Sequence, residues 1–96
     1  MLQHYVFIKY QDNVPGAHIN SFIEKMQALR HSIVEIKALH IGRDELKENR
    51  SWDLILDMQF DSLEDLRHYQ SHPEHQAAMA FNSPHVADVG AIDFHK

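Results

Sequence analysis

The sequence predicts an α+β fold in which one four-stranded antiparallel sheet carries helices on one face. Hydrophobic patterns follow the order strand, helix, strand, strand, helix, short helix and strand along the 96 residues. In the strands, apolar residues alternate with others, whereas in the helices they recur every three or four residues. Pro73 interrupts the second helical stretch and divides it into two helices. This order of elements is typical of the ferredoxin-like arrangement.

The first strand is predicted over residues 4–10 and the first helix over residues 18–31. The strand is rich in β-branched and aromatic residues and is followed by turn-forming residues at 11–13. Both faces of this strand are largely apolar, which predicts that both are covered. The apolar face of the helix consists of Ile19, Phe22, Ile23, Met26 and Leu29.

Three more strands are predicted over residues 33–41, 52–60 and 86–94. The strand at 52–60 has the clearest pattern, because every second residue in it is a large apolar residue that belongs on a core face. The residues of that face are Trp52, Leu54, Leu56, Met58 and Phe60. The intervening residues 42–51 are polar and are predicted to form an exposed loop.

Two helices are predicted to meet at Pro73. The first is capped by Asp61 or Ser62 and must end at or before His72, because a proline excludes the helical conformation from the residue before it. Its inner face is predicted to carry Leu63, Leu66 and Tyr69. The second helix starts at Pro73 and places His75 in its first turn, where the helix dipole opposes protonation of the imidazole. A neutral His75 able to accept a proton near neutral pH is therefore predicted.

The composition excludes several classes of function. The chain is long enough for one domain, residues 1–96, and its net charge of −5 without any lysine and arginine cluster argues against nucleic-acid binding. The absence of cysteine excludes disulfides and cysteine-ligated zinc. The N-terminus shows neither a signal peptide nor a membrane span, which favours a cytoplasmic protein without membrane contact.

The nine histidines raise the question of a metal site. His68, His72 and His75 have spacings that could place two imidazoles on one helix face. Pro73 argues against this arrangement, because the helix cannot continue through His72. Neither a native metal ion nor a cofactor is predicted.

The face of the sheet away from the helices is predicted to be apolar as well. Its members are Tyr5, Phe7, Ile55, Ile92 and Phe94. Such a contiguous patch is unfavourable in water, and two sheets packed face to face would bury it. The sequence therefore predicts a homodimer in which two four-stranded sheets form a barrel-like core.

Several segments together carry a resemblance to a known family. They are His4 in the first strand, residues 60–64, the motif Tyr69-x-x-His72-Pro73-x-His75, and Asp93-Phe94. On these residues, over essentially its whole length, the chain resembles the stress-responsive dimeric α/β-barrel (Dabb) family. The resemblance implies a ferredoxin-like protomer that pairs into a dimeric α/β barrel, with a pocket between sheet and helices.

The same resemblance implies candidate catalytic residues. Some plant members of the family are polyketide cyclases in which a tyrosine and a histidine serve the reaction, at the positions of Tyr69 and His75. Leu54 stands where the cyclase has a further histidine, and Val86 replaces a large aromatic residue. In chemical terms, His75 would abstract a proton next to a carbonyl, Tyr69 would donate to the developing enolate, and His4 could reach the same cavity. The predicted pocket walls are Val6, Ile8, Phe22, Met26, Leu54, Leu56, Met58 and Leu66.

Three functions are open at this point. The first is a homodimeric stress-response protein whose pocket binds a small apolar or carbonyl-containing molecule. The second is a cofactor-free lyase or polyketide-cyclase-like enzyme with His75 as base and Tyr69 as donor. The third is a monooxygenase of the related dimeric-barrel families. Against all three stands a purely structural role, in which hydrogen bonds of His75, Tyr69 and His4 hold the helix junction and the core.

Overall fold

The computed structural model describes the complete chain, Met1–Lys96. Its elements in chain order are β1 (Leu2–Tyr10), α1 (Gly16–Ser32), β2 (Ala38–Arg43), β3 (Leu54–Phe60), α2 (Leu63–Ser71), α3 (Pro73–Asn82) and β4 (Val86–His95). All strand pairs are antiparallel and the sheet order is β2-β3-β1-β4. The predicted ferredoxin-like sheet with helices on one face is confirmed. None of the helices has the length and apolar character that crossing a membrane requires.

The hydrophobic core lies between the helices and one face of the sheet, the inner face. The alternation of β3 is what builds this face, because Leu54, Leu56, Met58 and Phe60 are buried while the residues between them are only partly so. The residues that pack onto them from the other elements are Leu2, Ile8 and Tyr10 of β1, Phe22, Met26 and Leu29 of α1, Leu39 of β2, Leu66 and Tyr69 of α2, and Ala78 of α3.

The second strand is shorter than predicted and begins five residues later. Residues 33–37 follow α1 as its C-terminal cap and a turn, and the N–H of the cap residue Ile33 donates to the carbonyl of Leu29 at 2.8 Å. Ile33 is nevertheless buried, whereas Val34 is 79% exposed. Ile33 and Ile36, which are both buried, therefore pack this turn onto the core, a role that the apolar pattern alone does not distinguish from a strand.

Two residues predicted on inner faces lie elsewhere. Trp52 precedes β3 and packs on the opposite, outer face against Phe7, with ring centroids 6.0 Å apart. The chain bends at Asp53, whose carboxylate accepts a hydrogen bond from the N–H of Tyr10 at 2.7 Å, so the alternation of β3 does not extend back to Trp52. Leu63 is 56% exposed. Three residues turn a helix by about 300°, so two such steps rotate Leu63 about 120° away from the side that Tyr69 occupies.

The junction between α2 and α3 has the predicted construction. Helix α2 ends at Ser71, His72 is extended (φ −65°, ψ 134°), and Pro73 is the first residue of α3. The imidazole of His72 itself caps α3, since its Nδ1 accepts the N–H of Glu74 at 3.1 Å. The proline and this cap together fix where α3 begins, and hence where His75 lies.

Candidate functional site

A cavity of about 180 Å³ lies on the inner face, between the β1–β4 side of the sheet and helices α2 and α3. An apolar cavity of roughly 150 Å³ is enough for a benzene molecule. The cavity therefore suits a molecule of about that size or slightly larger. Its lining residues are His4, Val6, Ile8, Leu56, Tyr69, His75, Met79, Asn82, Ser83, Val86 and Val89.

His75 presents one defined ring nitrogen to this cavity. Its Nδ1 lies 3.0 Å from the carbonyl oxygen of Gln70, and because a carbonyl only accepts, Nδ1 must carry the hydrogen. In the neutral ring the lone pair is then on Nε2. Burial lowers the pKa of His75 below its ordinary value, and the nearby imidazoles of His4 and His72 act in the same direction. The ring is thus neutral near pH 7, with Nε2 available as a hydrogen-bond acceptor or base.

Tyr69 brings a hydroxyl to the same place. The residue is 2% exposed and its ring lies against that of His75, with centroids 4.4 Å apart. Burial raises the pKa of Tyr69 well above its ordinary value, so the phenol stays protonated. No hydrogen bond within the chain engages this hydroxyl. A protonated phenol without an internal partner, at the wall of a cavity, is a donor for a bound oxygen.

His4 is a further polar lining residue at this end of the cavity, and it is held by Asp93, which does not itself line the cavity. His4 lies opposite Asp93 in the β1–β4 ladder, and its Nδ1 hydrogen bonds the Asp93 carboxylate. The same ring packs edge-on against Tyr69 at 6.5 Å. A carboxylate on one ring nitrogen fixes the tautomer and orientation of an imidazole. The second nitrogen of His4 is therefore left for the cavity, as in His75.

The sequence-predicted residues divide into two groups. His4, Tyr69 and His75 line the cavity, together with three of the predicted wall residues, Val6, Ile8 and Leu56. The other five predicted wall residues are buried in the core instead: Phe22, Met26, Leu54, Met58 and Leu66. The reason is that α1 packs against β2 and α2 packs against β3, while the space remains under α3 beside β1 and β4.

Some lining residues were not among the predicted ones. Asp93 does not line the cavity but bonds His4, and it could have been found from the alternation of β4, which places it on the inner face once β4 pairs with β1. For Asn82, at the end of α3, the sequence indicated only that the helix ends there and not that the side chain lines a cavity. Met79 and Val89 had no sequence signal at all, because their position depends on how α3 and β4 pack.

The histidines of the helix junction do not form a metal site. His68 lies 3.7 Å from Glu35, His72 caps α3, and His75 bonds Gln70, so the three imidazoles have separate partners. No three histidine or carboxylate side chains converge with a spacing suited to a metal ion.

Comparison with known proteins identifies a matching family and solved structures with the same fold. The chain matches the stress responsive A/B barrel domain (Dabb) over residues 2–96. A dimeric ferredoxin-like protein of unknown function from Thermobifida fusca YX is 27% identical, with 99% of this chain and 90% of that chain covered and a TM-score of 0.89. A dimeric protein of unknown function and ferredoxin-like fold from Bacteroides fragilis NCTC 9343 is 29% identical, covering 99% and 95%, with a TM-score of 0.89.

The Arabidopsis thaliana protein At3g17210 is similar to the same degree, at 26% identity, 100% and 95% coverage and a TM-score of 0.88. No curated protein matches the chain in sequence. The family match extends over nearly every residue and agrees with the ferredoxin-like fold of the similar structures. The chain belongs to the stress responsive A/B barrel domain family.

Proposed function

We propose that the protein is a homodimer whose protomers each bind a small, mainly apolar molecule that contains a carbonyl group. The observation that carries this proposal is the pairing of a free donor and a free acceptor at one end of an apolar cavity. The hydroxyl of Tyr69 has no partner within the chain, and Nε2 of His75 is left over after Nδ1 bonds Gln70. A carbonyl oxygen satisfies the first group, and the apolar walls favour the remainder of such a molecule.

The outer face of the sheet supports the dimer. The ring of Tyr5 packs edge-on against that of Phe94 at 5.5 Å, and the neighbouring Ile92 is 52% exposed. Phe94 itself is 38% exposed. Together with Phe7 and Trp52, these side chains form a contiguous aromatic and aliphatic surface of the kind that a second protomer covers. The related proteins from Thermobifida fusca and Bacteroides fragilis are themselves dimeric.

A second candidate function is proton abstraction next to the bound carbonyl, without a cofactor. Nε2 of a neutral His75 would take a proton from the carbon next to the carbonyl, while the Tyr69 hydroxyl donates to the oxygen on which the negative charge develops. The lowered pKa of His75 favours this candidate, because the ring is unprotonated and able to act as a base at neutral pH. The imidazolium of His75 holds this proton after the step and returns it to carbon or exchanges it with solvent, so no second acid is needed.

Binding is tested with acetophenone, a small apolar ketone, by titration monitored with NMR. Tyr69→Phe removes only the hydroxyl, and His75→Asn keeps a donor for the Gln70 carbonyl while removing Nε2. Tyr69→Phe should weaken binding about fivefold to tenfold, the value of one hydrogen bond. His75→Asn should change the affinity little, because acetophenone has no hydrogen-bond donor for Nε2 to accept from. His31→Asn is the matched control, since His31 is exposed at the end of α1. Unchanged affinity in Tyr69→Phe would contradict the proposal.

The enzymatic candidate is tested separately by following exchange of the acetophenone methyl hydrogens for deuterium in D₂O. The wild-type protein should accelerate this exchange over buffer, and His75→Asn should remove the acceleration at saturating ketone. If acetophenone binds but its exchange is no faster than in buffer, the cavity is a binding site for this ketone and the catalytic candidate fails for it.

A further inference from the structure

Asn82 is a buried amide at the far end of the same cavity. It is the last residue of α3, is 3% exposed, and belongs to the cavity lining. Its Oδ1 accepts two hydrogen bonds, from the Tyr10 hydroxyl at 2.6 Å and from His18 Nε2 at 3.0 Å. Both lone pairs of the amide oxygen are thereby used, so the orientation of the amide plane is fixed.

The other half of this amide lacks a partner. With Oδ1 engaged, the two hydrogens of Nδ2 are directed away from Tyr10 and His18, and no group of the chain accepts them. Nδ2 of Asn82 retains some solvent-accessible surface. The only side-chain polar atom that is both fully buried and without a hydrogen-bond partner is Oε1 of Gln3, so an unpaired Nδ2 cannot be fully buried. Since the residue as a whole is almost completely buried and borders the cavity, its Nδ2 is reached through the cavity.

The network that holds Asn82 is itself rigidly packed. The His18 ring stacks on Phe81 with centroids 4.6 Å apart and contacts the His85 ring at 4.0 Å. Burial raises the pKa of Tyr10 to about 12, so its hydroxyl keeps the hydrogen that it donates to Asn82. These contacts hold the amide in one orientation before any ligand arrives, which lowers the entropic cost of using it for binding.

Asn82 and His75 lie at opposite ends of α3, which determines how far apart the two polar ends of the cavity are. His75 is in the first turn of α3 and Asn82 is its last residue, seven positions later, which corresponds to about 10 Å along a helix axis. Met79 and the inner-face residues Val6, Ile8 and Leu56 line the cavity between these two ends. The cavity thus has a polar group at each end and an apolar middle.

We propose that Asn82 is a second, specificity-determining anchor whose Nδ2 donates a hydrogen bond to an acceptor oxygen at the far end of the ligand. The ligand class is then an elongated, mainly apolar molecule with acceptor oxygens at both ends. One oxygen meets Tyr69 and the other meets Asn82. This inference rests on the proposed binding function and narrows it, because a molecule with one oxygen leaves one anchor unpaired.

The test compares two ketones of similar size, para-diacetylbenzene and para-isopropylacetophenone. They differ in that one C=O group of the first is a CH–CH₃ group in the second, which has no acceptor oxygen. The wild-type protein should bind the diketone about fivefold to tenfold more tightly, the value of one hydrogen bond. Asn82→Asp keeps an oxygen that accepts from Tyr10 and His18 but replaces the Nδ2 donors by a second acceptor. It should remove the preference for the diketone or reverse it.

Asn13→Asp is the matched control, since it adds the same charge at an exposed loop position, and it should keep the preference. A diketone preference that is absent from the wild-type protein, or that persists in Asn82→Asp, would overturn the role of Asn82. If neither ketone binds, the proposed binding function fails, and the assignment of Asn82 fails with it. If the ketones bind in a Tyr69-dependent manner without any difference between them, only the assignment of Asn82 fails.

A second measurement needs no variant and decides the matter if Asn82→Asp does not fold. In the assigned NMR spectrum of the wild-type protein, the side-chain amide signals of Asn82 should shift when para-diacetylbenzene is added. They should shift much less with para-isopropylacetophenone. Equal shifts with both ketones, while other cavity signals respond, would show that Nδ2 does not contact the second oxygen.

Discussion

At the scale of the residue, the cavity is governed by which atoms of each polar side chain are already engaged. His75, His4 and Asn82 each use one side of a planar group to bond the protein, through Gln70, Asp93 and the Tyr10–His18 pair respectively. In each case the opposite side is left for the cavity. The contacts that hold the side chains in place therefore also determine which of them offer a donor and which an acceptor.

The protonation of His75 gives a first prediction. Because burial lowers its folded-state pKa below its ordinary 6.5, the unfolded chain binds this proton more readily than the folded one. The contribution of His75 to stability is therefore fully present above about pH 6.5 and is lost as the pH falls below that value. Melting temperatures measured between about pH 8 and pH 5 should fall more for the wild-type protein than for His75→Asn. Parallel curves for the two proteins would contradict this account.

Gln3 gives a second prediction. It is 2% exposed, and its Oε1 is a buried acceptor without a partner, which costs about 1–3 kcal/mol relative to a satisfied group. Gln3→Met keeps the length of the side chain and removes the polar atoms, so urea unfolding should show a gain of about 1 kcal/mol. A loss of stability would mean that a donor from outside the protomer pairs with Gln3, which lies on the outer sheet face with Tyr5.

At the scale of the element, the α2–α3 junction determines where the site lies. Pro73 ends one helix and starts another, and the change of direction brings Tyr69 from the last turn of α2 against His75 in the first turn of α3. The bond from His75 to Gln70 crosses the same junction. The site therefore depends on the break between the two helices. In a continuous helix these two residues, six positions apart, would point in directions about 120° apart around the helix axis.

The capping role of His72 gives a third prediction. His72→Ala removes the acceptor for the N–H of Glu74 and should lower the free energy of unfolding by about 1 kcal/mol. His72→Asn restores a good capping side chain and should recover most of that loss. Because His72 does not line the cavity, both variants should bind acetophenone as the wild-type protein does. A loss of binding in both would mean that His72 takes part in the site itself.

At the scale of the whole molecule, the two faces of the sheet have different structural roles. The inner face carries the core and the cavity, while the outer face carries an aromatic surface that includes Tyr5, Phe7 and Trp52. The Trp52 ring lies next to Gly90, where an added Cβ would be in ordinary van der Waals contact with it at 3.5 Å. We infer that a second protomer covers this surface.

The dimer gives a fourth prediction. Ile92 is 52% exposed in the protomer, so Ile92→Asp should leave the protomer fold intact while placing a charge in the proposed interface. In sedimentation experiments at micromolar concentration, the wild-type protein should be a dimer and the variant a monomer. Leu46→Asp is the control, because Leu46 is 66% exposed and lies in the loop between β2 and β3, outside the strands of the sheet. A monomeric wild-type protein would contradict the proposed barrel.

Local rules were enough to predict the sheet, the helix break at Pro73 and the meeting of Tyr69 with His75. Alternation defines a strand face, and proline ends a helix whatever surrounds it. The inner faces of β1 and β3 and the first turn of α3 therefore followed from the sequence alone. The same local rules placed Leu63 and Trp52 on the wrong sides. A helix has 3.6 residues per turn, so steps of three residues move Leu63 away from the inner side of α2. The bend at Asp53 ends the alternation of β3 before Trp52.

Only the tertiary structure decided which part of the inner face is filled and which is open. Phe22, Met26 and Leu66 satisfy the same hydrophobic pattern as Val6 and Leu56, yet the first three fill the core and the last two border the cavity. Whether a buried apolar residue faces a neighbour or an open space depends on how closely a helix approaches the sheet. That distance is set by packing between elements far apart in the chain, as is the pairing of His4 with Asp93 across 89 positions.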